Sequence, residues 1–593
     1  MSYPPSPYAS HSAPRREARR VIRARPATAP PPRSIGERLH EVVFVFVLCL
    51  AQFLSLAAMN QTVAPMLILA DFFDIHDYGN LSWFSAAFSM TVGTFILPAG
   101  RLGDIYGHKR IFMAGWAWFA LWSLIAGFCG EAQLLWFSTC RAFQGIGPAL
   151  LIPNAIALIG RSFPVGLKRN LALACFGAAG PTGAALGAVL AALVSEKLSW
   201  PWCFWLLAIT CSCLVAVSWF VIPEPETANV TTEIRGKQPK HVQDGVLFDW
   251  PGAITGVTGL VLVNFALNQA PLVGWSEPYI PALLILGFVF LIAFIYVELR
   301  VARHPIIPIR GLQRHTVLTL TCVFAGWSSH GIWVYYLYLF LEHLRGHSAL
   351  LTSAETSPVA VTGIFFAFLT VWLMRRISVS WIMLMSMFFF LLGSMLIAVM
   401  PLDQTYWANT FTAILLMPGA MNLSFPAATI LLSTDLPKEK QGIAASLVAT
   451  VVNYSISCGL GFAGSIHKYS LEVAAAKAGL RGPQPALSTS DTRLVEVRLV
   501  GLRSAYWFAV ALGVLGMLIA ALFIVIQGEA GSENGREEEQ ETGGNYSNSV
   551  KRGADWNRTD LETRRKRGGI EVKRTYYLGN KVIRVSERED LGV

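Results

Sequence analysis

The sequence predicts an all-α protein that crosses a lipid bilayer about fourteen times. Three observations carry this. Of 593 residues, 54% are hydrophobic and only 14% are charged, whereas a soluble domain carries roughly a quarter. The apolar residues come in blocks of about 20, enough for a helix to cross a ~30 Å hydrocarbon core. Backbone groups in lipid must bond within their own segment, so these blocks have to be helices; alternating barrel strands of about ten residues are absent from the pattern.

Residues 1–40 are rich in Pro, Ser and Arg and are expected to form a disordered basic tail. No short apolar core of a cleavable signal precedes the first long block. Six blocks follow, at 42–69, 81–102, 111–130, 134–160, 170–194 and 203–222. A polar loop, 223–250, leads to two more at 251–269 and 279–299. The last six run over 316–341, 356–374, 380–400, 406–432, 443–466 and 504–527. Residues 528–593 hold a Gly/Glu run and then a basic stretch, Arg564, Arg565, Lys566 and Arg567, and are expected to be a second disordered tail.

The formal net charge is +10. The basic residues alternate between loops, which is the pattern of membrane orientation and not of nucleic-acid binding. Loop one is acidic, with Asp71, Asp74 and Asp77, while loop two carries Arg101, Lys109 and Arg110 and loop four Arg161, Lys168 and Arg169. Counting on in this way puts an even number of spans in the chain and both termini in the cytoplasm. The nine cysteines lie in or beside apolar blocks without metal-type pairing, so no cofactor and no metal are implied. No ATP-binding loop, zinc-protease helix or nucleophile elbow is present, so an enzyme is not expected.

One loop is more than a turn. It reads Gly100-Arg-Leu102-Gly-Asp104-Ile-Tyr106-Gly107-His108-Lys109-Arg110. Its glycines permit close helix approach, and Asp104 suits the positive N-terminus of a neighbouring helix. Span four holds Arg141-Ala-Phe-Gln144-Gly145-Ile-Gly147. Span five holds Gly177, Gly180, Pro181, Gly183 and Gly187, with Pro181 leaving a carbonyl unpaired. Asp249-Trp250-Pro-Gly252 opens span seven.

These four segments, in this order, resemble the signatures of the major facilitator superfamily, in its fourteen-span drug:proton antiporter form. Asn60-Gln61-Thr62-Val63, Ile152-Pro153-Asn154-Ala155 and the run from Lys440 to Ser446 leading to Asn453 look like fungal transporters of the aminotriazole-resistance type. The resemblance covers about 41–527. It implies an N-terminal six-helix bundle over 41–222, two linker helices over 251–299 and a C-terminal six-helix bundle over 300–527, rocking about a site near the bilayer midplane.

Candidate site residues follow from charge and polarity. Arg141 is a permanent charge inside a span, costing at least ~2.5–3.5 kcal/mol on insertion scales, so it needs partners. Gln144 is one turn along, and Asn60, Gln61 and Gln52 on span one are candidate partners across the bundle. It serves a solute or a proton-linked rearrangement, or else it is a structural arginine satisfied by carbonyls. Where the antiporter pattern carries an aspartate in span one this chain has Asn60, and an amide exchanges no proton. His330 in span nine titrates in the right range if it takes over coupling; it is equally a core histidine. Trp327, Trp333, Tyr335, Tyr336 and Tyr338 share that span, and Glu342 at its outer end reads as a surface residue. Asn154, Asn422 and Asn453 complete the set, with Asn264, Asn268 and Asn409 as further intramembrane amides.

The resemblance implies proton-coupled efflux of a small organic or toxic solute by a monomer in the lipid bilayer, at the plasma membrane or else the vacuolar membrane. Asn60 keeps open a uniporter or uptake carrier for a small polar species such as ammonium or borate. A nutrient receptor signalling through its tails is the alternative from another class.

Overall fold

The computed structural model describes residues 35–75, 79–131, 133–164, 166–223, 248–307, 309–311, 313–433, 441–479 and 492–551, with strands over 557–566, 569–578 and 581–589. The expected basic tail up to residue 34, most of the 223–250 loop and the 434–440 loop lie outside them.

The first half is built of α1 (Ile35–Asn60), a short α2 (Met66–Phe72), α3 (Gly79–Tyr106), α4 (His108–Ala126), α5 (Leu134–Ser162), α6 (Leu167–Lys197) and α7 (Pro201–Val221). The single span expected over 42–69 is broken, because Pro65 has no N–H with which to continue the ladder of α1. α3 packs on α5, α4 on α5 and α7, and α1 on α6.

Two linker helices follow, α8 (Trp250–Val273) and α9 (Tyr279–Tyr296). Asp249 caps α8, accepting the Gly252 N–H at 3.0 Å, with Pro251 in the first turn, where its missing donor costs nothing. α9 ends in a π-turn, Val297–Val301. Its buried Glu298 ties the next segment down, one carboxylate oxygen accepting from Ile306 N at 3.2 Å and the other from Ile307 N at 3.3 Å.

The second half comprises α10 (Arg314–Leu339) with a π-turn at Phe340–Leu344, α11 (Ala349–Thr356), α12 (Val359–Leu373), α13 (Val379–Ala398), α14 (Asn409–Ser433), α15 (Gln441–Lys477) and α16 (Thr492–Lys551). Pro358 separates α11 from α12, and the two together make one span.

Thirteen of these units, counting α11 with α12, are long and apolar enough to cross a membrane. α4 is the fourteenth. Its polar start at His108, Lys109 and Arg110 and its indoles Trp116, Trp118 and Trp122 lower its hydropathy, yet it is a 19-residue helix packed in the bundle. The membrane part is therefore all-α, in the expected number of spans. The C-terminal segment lies beyond the membrane part. There α16 continues to Lys551, and three antiparallel strands follow in order β1 (Asn557–Lys566), β2 (Gly569–Leu578) and β3 (Lys581–Glu589).

The halves meet mainly through α3 against α15 and α6 against α12. Glycine makes the first approach close: a Cβ at Gly93 would stand 2.6 Å from Tyr454 N. The two linkers differ in their placement. α8 packs on both α3 and α15, and only α9 lies on the outside. A polar clasp holds α8 there. Asn268 Nδ2 donates to Asn264 Oδ1 at 2.9 Å and to Ser457 O at 3.2 Å. Ser457 Oγ lies 2.7 Å from Asn264 Oδ1 and 2.9 Å from Ala86 O, so α3, α8 and α15 share one network in a setting with little water to substitute for it.

Candidate functional site

The centre of the first half is Arg141. Phe137, Cys140 and Arg141, at i, i+3 and i+4 on α5, all turn toward the bundle interior, and the Arg141 side chain is fully buried. Nε donates to Phe84 O of α3 at 3.2 Å, Nη2 to Ala58 O of α1 at 2.9 Å, and Nη1 to Gln144 Oε1. Gln144 Nε2 passes the chain on to Ser123 Oγ of α4 at 2.7 Å. The guanidinium lies 4.6 Å from the centre of the Phe88 ring, whose face adds a cation–π attraction. One charge thus ties α1, α3, α4 and α5 together, which is how a buried arginine is made tolerable in lipid.

The partners on α1 differ from those expected. Arg141 takes the backbone carbonyl of Ala58, whereas the amides of α1 face the next helices. Asn60 Nδ2 donates to Ala184 O of α6 at 3.2 Å, and Gln61 Nε2 to Cys203 O of α7 at 3.0 Å. Gln52 faces Gly180 of α6, where a Cβ would lie 3.4 Å from its Nε2. The reason is the 100° step of a helix: Ala58 and Asn60 differ by two positions and so present different faces.

Asn154 sits elsewhere, beneath the Gly100–Arg110 loop. Its Oδ1 is 2.7 Å from His108 Nδ1, and its Nδ2 donates to Leu150 O and Ala99 O at 2.7 and 3.3 Å. A Cβ on Gly103 would fall 1.8 Å from that Oδ1, so only glycine allows the amide in. Gly107 has φ of 96°, a backbone that L side chains rarely adopt, and starts α4. Asp104 meets the guanidinium groups of Arg161 at 3.3 Å and Arg101 at 3.7 Å and the ring of His108 at 3.5 Å, and not the expected helix end. Lys109 donates to Trp219 O at the end of α7, at 3.0 Å. Arg110 is exposed. The loop therefore joins the ends of α3, α4, α5 and α7 into one piece, here called the basic end.

The glycines of α6 divide by environment. A Cβ at Gly183 would lie 2.1 Å from Phe53 O, and one at Gly187 2.4 Å from Ala57 Cα, so α1 and α6 touch along their backbones. At Gly177 nothing lies within 4 Å. The Pro181 ring leaves α1 aside and packs on α12 of the other half, 2.5 Å from the position a Gly363 Cβ would take.

In the second half, His330 is buried in an aromatic box, stacked on Trp333 (6.2 Å between centroids, 17°) and edge-on to Trp327 at 5.5 Å. Trp327 Nε1 donates to Ser424 Oγ at 3.0 Å, and Tyr338 OH is 2.7 Å from Thr356 Oγ1; the Trp and Tyr residues of α10, Trp327, Trp333, Tyr335, Tyr336 and Tyr338, are all buried. Asn422 Nδ2 donates to Pro418 O at 3.0 Å and Asn453 Nδ2 to Ala449 O at 2.9 Å, each on its own helix. These residues are not brought against Arg141.

Glu342, expected at the surface, is buried at 4% exposure, in the π-turn that ends α10. Sequence position near a span end suggested water; the halves closing over that end removed it. A second unexpected feature is an apolar cavity of about 230 Å³ between α3, α8, α9, α10 and α15, floored by Gly252, Gly256 and Leu260 and walled by Phe294, Phe324 and Tyr454.

Comparison with known proteins follows the same line. Residues 48–461 match the family profile of the Major Facilitator Superfamily. Over 485 residues the chain is 44% identical to a Saccharomyces cerevisiae protein described as a low affinity ammonium transporter, covering 82% of this chain and 88% of that one. It is 38% identical over 485 residues to the Aspergillus terreus efflux pump terJ, covering 82% and 88%. It is 33% identical over 490 residues to the aminotriazole resistance protein of Saccharomyces cerevisiae, covering 82% and 84%. A fourteen-helix membrane body, a basic-end loop built on Gly103, Asp104 and Gly107, and a buried arginine at its core together identify this chain as a multi-span transporter of the major facilitator superfamily, related to its drug transporters, and not an enzyme.

Proposed function

We propose that this carrier exports a small organic or toxic solute in exchange for protons, by rocking of its two halves about a site between them. The observation that carries the proposal is the seat of Pro181. The helix bearing the antiporter-type glycines uses that proline to contact Gly363 of the opposite half, with α6 tight on α1 behind it and open at Gly177. Small residues on such a seam let two rigid bodies slide. Relatives described as an efflux pump and as an aminotriazole resistance protein support the direction. Arg141 with Gln144 would hold the first half rigid while it moves. Asn60, Gln61 and Gln52, with Asn422 and Asn453 opposite, would supply the polar contacts to the solute. His330 would keep its box shaped. The basic end would face the cytoplasm, with both termini there, and the carrier would act as a monomer in the plasma membrane.

A second reading is favoured by Asn60, which replaces a carboxylate with a neutral amide bonded to Ala184 O. It makes the chain a carrier for a small polar species such as ammonium, as the description of its 44% identical relative suggests. Purified protein in liposomes distinguishes them. Labelled aminotriazole and labelled methylammonium are offered with and without an imposed pH gradient. Gradient-driven movement of aminotriazole supports the first reading. Methylammonium flux indifferent to the gradient, with no aminotriazole flux, supports the second.

A further inference from the structure

The apolar cavity of about 230 Å³ draws its walls from both halves and both linkers. Helix α3 of the first half supplies Thr94. From the second half α15 supplies Thr450 and Tyr454, and α10 supplies Phe324. Helix α8 makes the floor, and α9, on the outside of the body, supplies Phe294. Phe294 is half-buried, which gives a path from the lipid. The lining includes neither Arg141, His330 nor Pro181, so the cavity lies apart from the features described so far.

Two hydroxyls interrupt its carbon lining. Thr94 is 2% exposed and Thr450 7%, and neither Oγ1 has a hydrogen-bond partner among the described residues. A helical threonine can bond the carbonyl one turn back, as Thr91 of α3 does to Ala87 O at 3.2 Å. A buried hydroxyl without a partner is costly, and an oxygen on an occupant would supply one. Tyr454 offers no such group, because its OH already donates to Leu260 O at 2.9 Å. The two threonines also flank the seam between the halves. A Cβ on Gly93, the neighbour of Thr94, would lie 3.1 Å from Thr450 O and 2.6 Å from Tyr454 N.

We propose that this cavity is an effector site for a small apolar ring molecule bearing one hydrogen-bonding oxygen, drawn from the bilayer, and that its occupant holds α3 against α15 and slows transport. The proposal rests on the rocking of the halves put forward above, and not on which solute is carried. Volume sets the size. A dry cavity of about 150 Å³ takes benzene, so one about half as large again takes a fused two-ring molecule and not a full-length lipid chain. The aromatic walls suit ring faces and edges. No Asp, Glu, Lys or Arg lines the cavity, so it does not suit an ion. Sliding of α3 past α15 would separate the two threonine walls. A ligand that fits one arrangement of the halves stabilises it by its differential affinity.

The test uses full-length protein in liposomes and labelled 1-indanone, a two-ring ketone, with indane as the same shape without the oxygen. The ketone should bind saturably, and indane about two- to tenfold more weakly, the loss of one hydrogen bond. Ala253→Leu, at a buried lining position of α8, fills the cavity and should abolish that binding. Thr94→Val combined with Thr450→Val should bind the ketone no better than indane. Saturating ketone should lower the maximal flux of labelled aminotriazole or methylammonium, whichever is carried, by about fivefold or more without raising KM. It should also slow amide hydrogen exchange over residues 90–98 and 447–454. Absence of saturable binding, or wild-type binding by Ala253→Leu, overturns the site. A ketone preference that survives the double threonine variant does so too, and it decides the matter if Ala253→Leu does not fold. A rise in KM alone places the ketone at the solute site and overturns the proposal. Binding with flux and exchange unchanged overturns the effector role. A co-purifying lipid that the ketone does not displace and Ala253→Leu removes makes lipid the occupant instead. If neither solute moves, the proposed function fails, and the exchange readout still decides the effector role.

Discussion

Replacing Gly183 with alanine sets one steric number against another on the same helix. At Gly183 the new Cβ would stand 2.1 Å from Phe53 O and 2.7 Å from Phe53 Cα, both backbone. An ordinary contact begins at 3.4 Å, so from 2.1 Å α1 must retreat from α6 by about 1.3 Å. Phe53 cannot turn a rotamer to give that space, because the atoms in the way belong to its main chain. Overpacking of this kind costs about 1–3 kcal/mol. Retreat of α1 also strains the Ala58 carbonyl that accepts from Arg141. Gly177→Ala is the control. It lies on the same helix and in the same signature, yet meets nothing within 4 Å. It should be neutral or more stable by up to about 1 kcal/mol, from the higher helix propensity of alanine. Thermal unfolding of detergent-solubilised protein, with probe flux in liposomes, measures both. Gly183→Ala should unfold earlier and transport slower, and Gly177→Ala should match wild type in stability. Equal melting temperatures for the two variants would refute the claim that backbone contact with α1, and not the glycine signature as such, sets the requirement.

Arg141→Ala leaves the Ala58 and Phe84 carbonyls and Gln144 without their donor, about 1–3 kcal/mol each, offset in part by no longer burying a charge. Transport should be lost, and Arg141→Lys should not restore it, since one ammonium cannot reach three separated acceptors. An Arg141→Ala protein that folds, reaches the membrane and transports normally removes Arg141 from the mechanism. Asp104→Asn acts on a half-exposed ion cluster and should change stability by under about 1 kcal/mol, while slowing flux; a large fall in melting temperature would make the loop a stability device instead. Asn268→Ala and Ser457→Ala should couple in a double-mutant cycle by roughly 0.6–1.7 kcal/mol, as intramembrane hydrogen bonds do, and strictly additive effects would deny the clasp between α8 and α15.

Much of the fold was legible because lipid leaves the chain few options. A block such as 134–160 had to be a helix, and it is one, as α5 over Leu134–Ser162. The break at Pro65 was legible in principle from the missing N–H, but the apolar run to Ala70 concealed it. The candidate site was legible by residue type and not by partner. Arg141 with Gln144 was foreseeable, since they lie one turn apart on one helix. Asn60 against Ala184, and Asn154 under Gly103, were not, because they depend on which faces of separate helices meet.

Glu342 shows where sequence stopped. By itself the sequence determined the membrane class, the helical spans and the family, since hydrophobic length and short local signatures are properties of contiguous residues. Only the tertiary structure decided that an acid near a span end is buried, and that the Arg141 guanidinium is taken up by carbonyls of Ala58 and Phe84. Burial and charge pairing are set by residues hundreds of positions apart, and no local pattern encodes which of them close over one another.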